Sequence, residues 1–449
     1  MARLFVIYFV LLFFFFYRTA LALEPANPNA MLEARQVLNY LDSLDKKTSN
    51  KIISGQHVGS SSFYQNYNPL VRDIYNETGK WLALIGVDFG WIDPNHATDW
   101  PDAKPLIIDH WNKKGLITIS WHVANPAGGG AVNMAQLITP GTSLNSTWMG
   151  QLKQKADWLA ELRDEKVVVL WRPFHEMNLM RNSHWWCEAS QKDFINVWKH
   201  MFDYFTKTRG LNNLLWVYAP GAVGGTLTDY YPGNEYVDIV GVDIYVKGNP
   251  LSSLPQMGYS QLLALGKPFA LTECGPGTGS TPPSINSYDY HNLINNIKSY
   301  CPEAVYFMAW NENYAIANQL NASGLLNDSW IINRDEVDWR SVVTPTLKPT
   351  ATQTPRFSFT PTSIMSSHFC KTCDANVPQF SLGNANCDSD IDILDFYLLR
   401  NVLIKLQNDE NVTETEKAAV DFDCQIGQTT HTVDLKDFNI WAGNYKETF

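Results

Sequence analysis

Residues 167–178 read Val-Val-Val-Leu-Trp-Arg-Pro-Phe-His-Glu-Met-Asn, and this stretch decides the fold that the sequence predicts. Its first residues form a continuous apolar run, which is typical of a strand buried on both faces of a parallel sheet. A guanidinium, an imidazole and a carboxylate follow this run, from Arg172, His175 and Glu176. The stretch therefore predicts a buried parallel strand that ends in a cluster of reactive side chains.

Seven further apolar runs repeat this pattern, and amphipathic stretches such as Gln151–Arg163 and Lys192–Thr206 separate them. Eight buried strands alternating with helices predict an α/β protein with a (β/α)8 barrel, in which catalytic groups lie at the carboxyl ends of the strands. A doubly wound open sheet would require a glycine-rich phosphate-binding turn, which the sequence lacks. The predicted strands are Ile52–Gly55, Leu82–Asp88, Leu116–His122, Val167–Arg172, Leu214–Tyr218, Val237–Asp243, Phe269–Glu273 and Ala304–Trp310.

Length and composition limit the classes of protein to which the chain can belong. Its 449 residues are 45% hydrophobic and 18% charged, which predicts two or three globular domains and excludes a mostly disordered chain. The net charge of -11, with no basic run, argues against nucleic acid as a partner. The chain also holds 16 Trp, 20 Tyr and 22 Phe, enough for a large core and for flat platforms on which sugar rings stack.

A second carboxylate, Glu273, ends the seventh apolar run, across the predicted barrel from Glu176 on the fourth. Cleavage of a glycosidic bond needs two such carboxyl groups, one holding a proton and the other ionised. Their separation decides between retention, at about 5–5.5 Å, and inversion, at about 6.5–9.5 Å, and the sequence does not contain it. The pair therefore predicts a glycoside hydrolase with an open stereochemical outcome.

The octapeptide at 171–178 and the later strand-end Glu273 resemble glycoside hydrolase family 26, as do Lys51–His57, Trp121-His122 and Asn125-Pro126. The resemblance covers about residues 30–342. It implies a β-1,4-mannanase, with mixed-linkage β-glucanases and β-1,3-xylanases as minorities of the family. It also implies that Glu176 is the general acid/base and Glu273 the nucleophile of a retaining reaction that uses no cofactor.

The resemblance further implies a set of substrate-binding side chains. His122 is placed to contact the sugar at the cleavage point, Tyr245 to hydrogen-bond the nucleophile, and Trp310 to form a stacking floor. Trp185 and Trp186 either line the leaving-group side or only pack their loop. Arg172 and His175 are expected to contact the carboxylates, whereas His57, His96 and His184 are expected to be structural or surface residues, and Asp88 and Asp243 are left without a role. The full predicted substrate-binding set is His122, Trp171, Arg172, His175, Trp185, Trp186, Tyr245 and Trp310.

Four segments are predicted along the chain. Residues 1–22 are typical of an export signal, with an apolar stretch before Ala20-Leu21-Ala22, although a retained anchor is the alternative. Residues 23–343 form the hydrolase domain, and the Thr- and Pro-rich residues 344–372 form a linker. Residues 373–449 form a final module. The prediction is a secreted, extracellular protein with no membrane contact after signal cleavage.

The final module contains a candidate calcium loop that opens a helix-like stretch. Oxygen-bearing side chains occur at loop positions 1, 3, 5, 7, 9 and 12, which is the ligand spacing of such loops. A second, longer copy follows from Asp421, and the pair resembles a dockerin, which implies bound Ca²⁺ and a cohesin-bearing scaffold protein as partner. A solvated acidic surface loop is the alternative. The predicted calcium ligands are Asn384, Asn386, Asp388, Asp390, Asp392 and Asp395.

These observations favour a secreted endo-β-1,4-mannanase that carries a small α-helical, calcium-dependent docking module. Activity on mixed-linkage glucan or β-1,3-xylan stays open, because the loops at the barrel mouth select the sugar. A carbohydrate-binding protein without catalysis is a hypothesis from a different class. The presence of both Glu176 and Glu273 argues against it, because binding alone does not require the pair.

Overall fold

The structure is a computed structural model that describes part of the chain. Residues 1–21 of the predicted signal, the linker, the final module with all six predicted calcium ligands, and His96 lie outside that part. The described residues are 22–45, 50–59, 66–90, 99–180, 183–187, 189–222, 226–246, 251–278 and 281–342.

Within these residues, eight parallel strands close into a barrel in chain order, β2 to β9, and the last strand pairs with the first through Gln56 and Ala309. The predicted (β/α)8 barrel is therefore confirmed. A separate two-stranded sheet joins β1 to β10. The strands are β1 (Ile52–Ile53), β2 (Gly55–His57), β3 (Leu84–Asp88), β4 (Leu116–Trp121), β5 (Val169–Pro173), β6 (Leu214–Tyr218), β7 (Ile239–Val246), β8 (Phe269–Pro276), β9 (Phe307–Ala309) and β10 (Ile331–Ile332).

Helices connect the strands and cover the outside of the barrel, as right-handed parallel crossovers require. The two candidate stretches Gln151–Arg163 and Lys192–Thr206 are helical, and the second continues as the π-helical turn Tyr204–Thr208. The α-helices of the described residues are α1 (Leu32–Asp45), α2 (Asp73–Thr78), α3 (Asp99–Asn112), α4 (Met134–Leu137), α5 (Ser143–Asp164), α6 (Gln191–Asp203), α7 (Ser260–Leu263), α8 (His291–Tyr300) and α9 (Ala322–Leu326).

The first barrel strand differs from its prediction. Ile52 and Ile53 do not join the barrel but pair with Ile331 and Ile332. The barrel strand is the next segment, Gly55–His57, which pairs with β3. Two apolar isoleucines satisfy the pattern of a buried strand in either sheet, so hydrophobicity alone could not assign them.

Aromatic side chains fill the space between the barrel and its helices. Trp121 of β4 stacks on Trp148 of α5 with ring centroids 5.6 Å apart, and Trp198 of α6 lies 5.9 Å from Trp216 of β6. All four rings are buried. Much of the aromatic excess therefore stabilises the fold through buried apolar area.

Two further observations concern membrane-spanning helices and the cysteine thiols. In the part of the chain that the structure describes, no helix is long and apolar enough to cross a membrane. Cys274 and Cys301 are free, buried thiols, and burial raises the pKa of both. A buried thiol with a raised pKa is a poor nucleophile at neutral pH.

Candidate active site

The backbone around Glu176 is held in an unusual conformation at the carboxyl end of β5. Both Phe174 and Glu176 have positive φ angles, 49° and 57°, which cost energy for residues with a side chain. Hydrogen bonds hold the turn: the Glu176 N–H donates to the Ala219 carbonyl at 2.8 Å, and the Cys187 thiol donates to the Glu176 carbonyl at 3.2 Å. Such strain, held by several contacts, is typical of a functional turn.

A β-bulge positions Glu273 within β8. Val242 of β7 pairs with Leu271, but the next residue, Asp243, pairs with Glu273, so Thr272 is an extra residue in β8. The Thr272 hydroxyl donates to Asp243 at 2.6 Å. Bulges turn a side chain away from the regular alternation, and here the bulge determines the direction of the Glu273 carboxylate.

Arg172 connects three strands of the barrel. Its guanidinium donates to Glu273 at 2.6 Å and to Asp243 at 2.5 Å, and all three side chains are buried. Burial raises the pKa of Glu273, and Arg172 acts against that rise because it stabilises the charged carboxylate. The Tyr245 hydroxyl donates a further hydrogen bond to Glu273. The arrangement can hold an ionised carboxylate in a site that water barely reaches.

His122 is oriented by a carboxylate on the neighbouring strand. Its Nδ1 lies 2.6 Å from Asp88, which also accepts a hydrogen bond from the Ser120 hydroxyl at 2.5 Å. Burial is the largest influence and lowers the pKa of His122, but the charge and the hydrogen bond of Asp88, together with the Glu273 charge, more than offset it, and the pKa lies above its usual value. His122 thus brings positive charge to the side of the site that faces Glu273.

His175 lies beneath His122. Its Nε2 is 3.0 Å from His122 Nε2, whereas the sequence led us to expect a hydrogen bond or charge coupling with the carboxylates. A ring nitrogen does lie within 4.8 Å of the Asp243 and Glu273 oxygens. Burial, together with the nearby Arg172 charge, lowers the pKa of His175 well below its usual value. His175 is therefore a neutral imidazole in the floor of the site.

His184 contacts the other carboxylate directly. Its Nε2 lies 3.3 Å from Glu176 Oε2, and both side chains are partly exposed. The Trp186 ring stacks on the His184 ring at 4.4 Å, and the Trp186 N–H donates to the His175 carbonyl at 2.9 Å. This loop therefore places an imidazole against Glu176.

The predicted aromatic residues divide into two groups. Trp310 and Trp185 are partly exposed; Trp310 packs 4.2 Å from the His57 ring, and the Trp185 N–H donates to the Val123 carbonyl at 2.7 Å. Trp186 is 1% exposed and supports the loop, so it offers a sugar almost no surface.

The prediction that Trp171 binds substrate is wrong. The side chain is 0% exposed and packs on Phe89, Trp121 and Phe205, beneath the helices. Successive side chains of a strand point to opposite faces. Because Arg172 points into the barrel, Trp171 must point outward.

Several residues of the site received no role from the sequence. Asp88, Asp243 and Ser120 form its hydrogen-bonded frame, and His184 approaches Glu176 from a loop. Asp88 and Asp243 lie at the carboxyl ends of predicted strands, and this position could have identified them as residues of the site. No sequence pattern connected His184 to Glu176, eight residues earlier in the chain.

Two groups of side chains bring possible metal ligands within 4.8 Å of one another: His122, His175 and His184, and separately His175, Asp243 and Glu273. In the second group, Arg172 already forms ion pairs with both carboxylates. Among the described residues, therefore, only the group of three histidines brings possible metal ligands together without an arginine or lysine paired to them.

The closed parallel barrel, with one carboxylate after its fourth strand, another on its seventh and an arginine between them, defines a glycoside hydrolase. The model of glycosyl hydrolase family 26 matches residues 26–336, and the chain belongs to that family. Catalysis in this family needs no cofactor.

Comparisons with characterised proteins agree with this assignment. The chain is 37% identical over 339 residues to a mannan endo-1,4-beta-mannosidase of Bacillus subtilis (strain 168), covering 70% of this chain and 89% of that protein. It is 36% identical to mannan endo-1,4-beta-mannosidase A and B of Caldalkalibacillus mannanilyticus, spanning 70% of this chain but 63% of that protein. The solved structure of a Bacillus subtilis mannanase superposes with a TM-score of 0.63 at 33% identity, covering 72% of this chain and 99% of that one.

Proposed function

We propose that the protein is an endo-β-1,4-mannanase that hydrolyses mannan-type polysaccharides with retention of configuration. The observation that carries the proposal is Glu273, buried and hydrogen-bonded by Arg172 and Tyr245, at the same end of the barrel as Glu176. Similarity to mannan endo-1,4-beta-mannosidases supports mannan as the substrate.

The proposed reaction has two displacements. Glu273 attacks the anomeric carbon while Glu176 gives its proton to the leaving oxygen, which produces a covalent glycosyl-enzyme. Glu176 then removes a proton from water, and that water releases the sugar from Glu273. Glu176 is the more exposed of the two carboxylates, at 17% against 7%, as an acid/base that exchanges protons with water requires.

The surrounding charges suit these roles. Glu273 is ionised in the first step, and the Arg172 guanidinium at 2.6 Å stabilises that form. His122, paired with Asp88, adds positive charge on the same side. Trp310 is partly exposed and is the proposed stacking floor for the sugar at the cleavage point.

Azide rescue of two alanine variants tests the assigned roles. With an activated aryl mannoside, Glu273→Ala should lose turnover, and azide should restore it with an inverted glycosyl azide as product. Glu176→Ala should slow hydrolysis of mannan by about 10²–10⁴-fold, and azide should give a retained glycosyl azide. Glu235→Gln, an exposed glutamate before β7 at the opposite end of the barrel, is the control and should behave as wild type. Undiminished turnover by Glu273→Ala would refute the nucleophile assignment.

A panel of substrates tests the sugar. The purified protein should release oligosaccharides from mannan in preference to barley β-glucan and β-1,3-xylan. If the protein hydrolyses β-glucan or β-1,3-xylan but not mannan, it is a β-glucanase or a β-1,3-xylanase of the same family instead. Binding to mannan without any hydrolysis would favour the carbohydrate-binding alternative.

The proposal extends to residues outside the described part of the chain. We propose export through residues 1–22 and a dockerin-like module at 373–449 that binds Ca²⁺ and a cohesin-bearing scaffold protein. The support is the sequence alone: an apolar segment before Ala20-Leu21-Ala22, and oxygen ligands with calcium-loop spacing from Asn384 to Asp395. Recovery of the protein from culture medium, beginning at Leu23, would test export.

A further inference from the structure

Three imidazoles converge within the active site from three parts of the fold. His122 follows β4, His175 follows β5, and His184 lies in the loop before α6. One ring nitrogen of each lies within 4.8 Å of one ring nitrogen of both others. His184 Nε2 also lies 3.3 Å from Glu176 Oε2, so a carboxylate borders the group.

We propose that His122, His175 and His184 form a binding site, beside the Glu176 carboxylate, for a divalent transition-metal ion of the zinc and copper class. An ion held there would lie next to the Glu176 carboxylate and block the sugar, so the site is inhibitory. Metal binding stands on this geometry alone, whereas the inhibition rests on the proposed function.

The donor set selects the class of ion. Neutral imidazoles suit Zn²⁺ and Cu²⁺, and three histidines leave the fourth position of a tetrahedral zinc ion for water. At Zn–N distances of about 2.0–2.1 Å, two ligand nitrogens of a tetrahedral ion lie about 3.3–3.4 Å apart. The His122 and His175 Nε2 atoms are 3.0 Å apart, close to that separation. Mg²⁺ and Ca²⁺ prefer oxygen ligands and are not expected to bind.

Neighbouring side chains fix the orientation of two of the imidazoles, as is common for metal-binding histidines. The other ring nitrogen of His122, Nδ1, is 2.6 Å from Asp88, the carboxylate–histidine arrangement that commonly orients a ligand. Stacking on Trp186 fixes the plane of the His184 ring. Without an ion, the facing Nε2 atoms of His122 and His175 share one hydrogen, and a bound ion would replace it.

Zinc titration of the full chain tests the site without using activity. Wild type, His184→Gln and His291→Gln are titrated with ZnCl2 in competition with a chromophoric chelator, in excess Ca²⁺ to fill oxygen-donor sites. His184→Gln should weaken zinc binding at least about tenfold, because one ligand is lost. His291 pairs with Asp328 on the outer surface, so His291→Gln is the matched control and should bind as wild type does.

Inhibition is measured on the same three proteins with mannan as substrate. The zinc concentration that halves the rate should rise in His184→Gln by the same factor as the dissociation constant. Equal zinc affinity in wild type and His184→Gln, with both folded by circular dichroism, overturns the site. Zinc binding that depends on His184 but leaves hydrolysis unchanged overturns the inhibition. If the wild type does not hydrolyse mannan at all, the proposed function is overturned, and the zinc titration alone then tests the metal site.

Discussion

At the scale of single residues, Arg172 governs the electrostatics of the site. One guanidinium serves two buried carboxylates, Asp243 and Glu273, and burial raises the pKa of both. Tyr245 therefore matters as an additional donor, because its hydrogen bond also favours the charged form of Glu273.

Tyr245→Phe should move the acid limb of the pH–activity profile to higher pH. Loss of the donated hydrogen bond destabilises the Glu273 carboxylate, so its pKa rises, and the nucleophile becomes protonated at a higher pH than in wild type. A hydrogen bond to a charged group contributes about 1.5–3 kcal/mol, which corresponds to about one pH unit or more. The measurement is kcat/KM for mannan oligosaccharides across pH. Tyr231→Phe, which loses a hydrogen bond to Asn234 in an exposed turn, is the control, and an unmoved acid limb in Tyr245→Phe would contradict the prediction.

Lys155 is a buried amine on α5 that the proposed mechanism does not use. It is 5% exposed, and its ammonium lies 3.9 Å from the centre of the Trp158 ring. Within the described residues, no carboxylate forms an ion pair with it. Burial lowers its pKa to about 7. Because the unfolded chain keeps this proton up to about pH 10.5, stability falls as pH falls from 10.5 through 7.

Lys155→Met should therefore stabilise the protein, and most at acid pH. Methionine keeps the volume and removes a charge that folding must desolvate, so the free energy of unfolding should rise by about 1–3 kcal/mol at pH 6 and by less at pH 10. Urea unfolding at both pH values measures the difference. Lys153→Met removes an exposed lysine paired with Asp157 on the same helix and should change stability by less than about 0.5 kcal/mol. Equal or lower stability of Lys155→Met at pH 6 would show that the aromatic contacts outweigh desolvation.

At the scale of secondary-structure elements, close backbone approaches position the site. The bulge in β8 places Glu273 beside Asp243, and the turn after β3 brings Gly90 against the backbone of His122. Asp88 accepts hydrogen bonds from the Gly90 and His122 N–H groups at 2.6 and 3.2 Å. The backbone conformation after β3 and the position of His122 after β4 thus depend on each other.

Gly90→Ala should disturb this junction. A Cβ at residue 90 would lie 1.8 Å from the His122 carbonyl oxygen, so one strand end must move, at a cost of about 1–3 kcal/mol and with loss of mannan hydrolysis. Gly150→Ala, in the interior of α5, is the control: a Cβ there meets nothing within 4 Å, and stability should rise by about 0.5–1 kcal/mol. Thermal unfolding and kcat measure both effects. Wild-type activity in Gly90→Ala would show that His122 need not be held by this turn.

At the scale of the whole molecule, the barrel explains why distant residues meet. Closure of eight parallel strands brings all carboxyl ends to one opening, so Glu176 and Glu273 share it although they are 97 positions apart in the sequence. The barrel supplies the proposed chemistry and the C-terminal segment the proposed docking, so the two activities should be separable.

Removal of calcium should separate these activities. A chelator should abolish capture of a cohesin-bearing scaffold and leave the rate of mannan hydrolysis unchanged, because the proposed catalysis uses no metal. Asp395→Ala, which removes the last predicted ligand of the calcium loop, should act as the chelator does. Asp335→Ala, an exposed aspartate of the hydrolase domain, should change neither activity. Capture that persists in chelator would contradict calcium-dependent docking.

The sequence by itself determined the class of fold and the family of the hydrolase domain. Strands buried on both faces require continuous apolar runs, and this local property can be read without coordinates. The octapeptide at 171–178 was specific enough to indicate the family.

Only the tertiary structure decided which of these residues face the opening and which partners they have. Trp171 and Arg172 are adjacent in sequence, but the alternation of a strand turns one to the core and the other to the site. The bulge at Thr272, the Asp88–His122 pair and the approach of His184 to Glu176 all join segments that no local pattern connects. Such contacts depend on register and closure, which arise when the whole barrel packs.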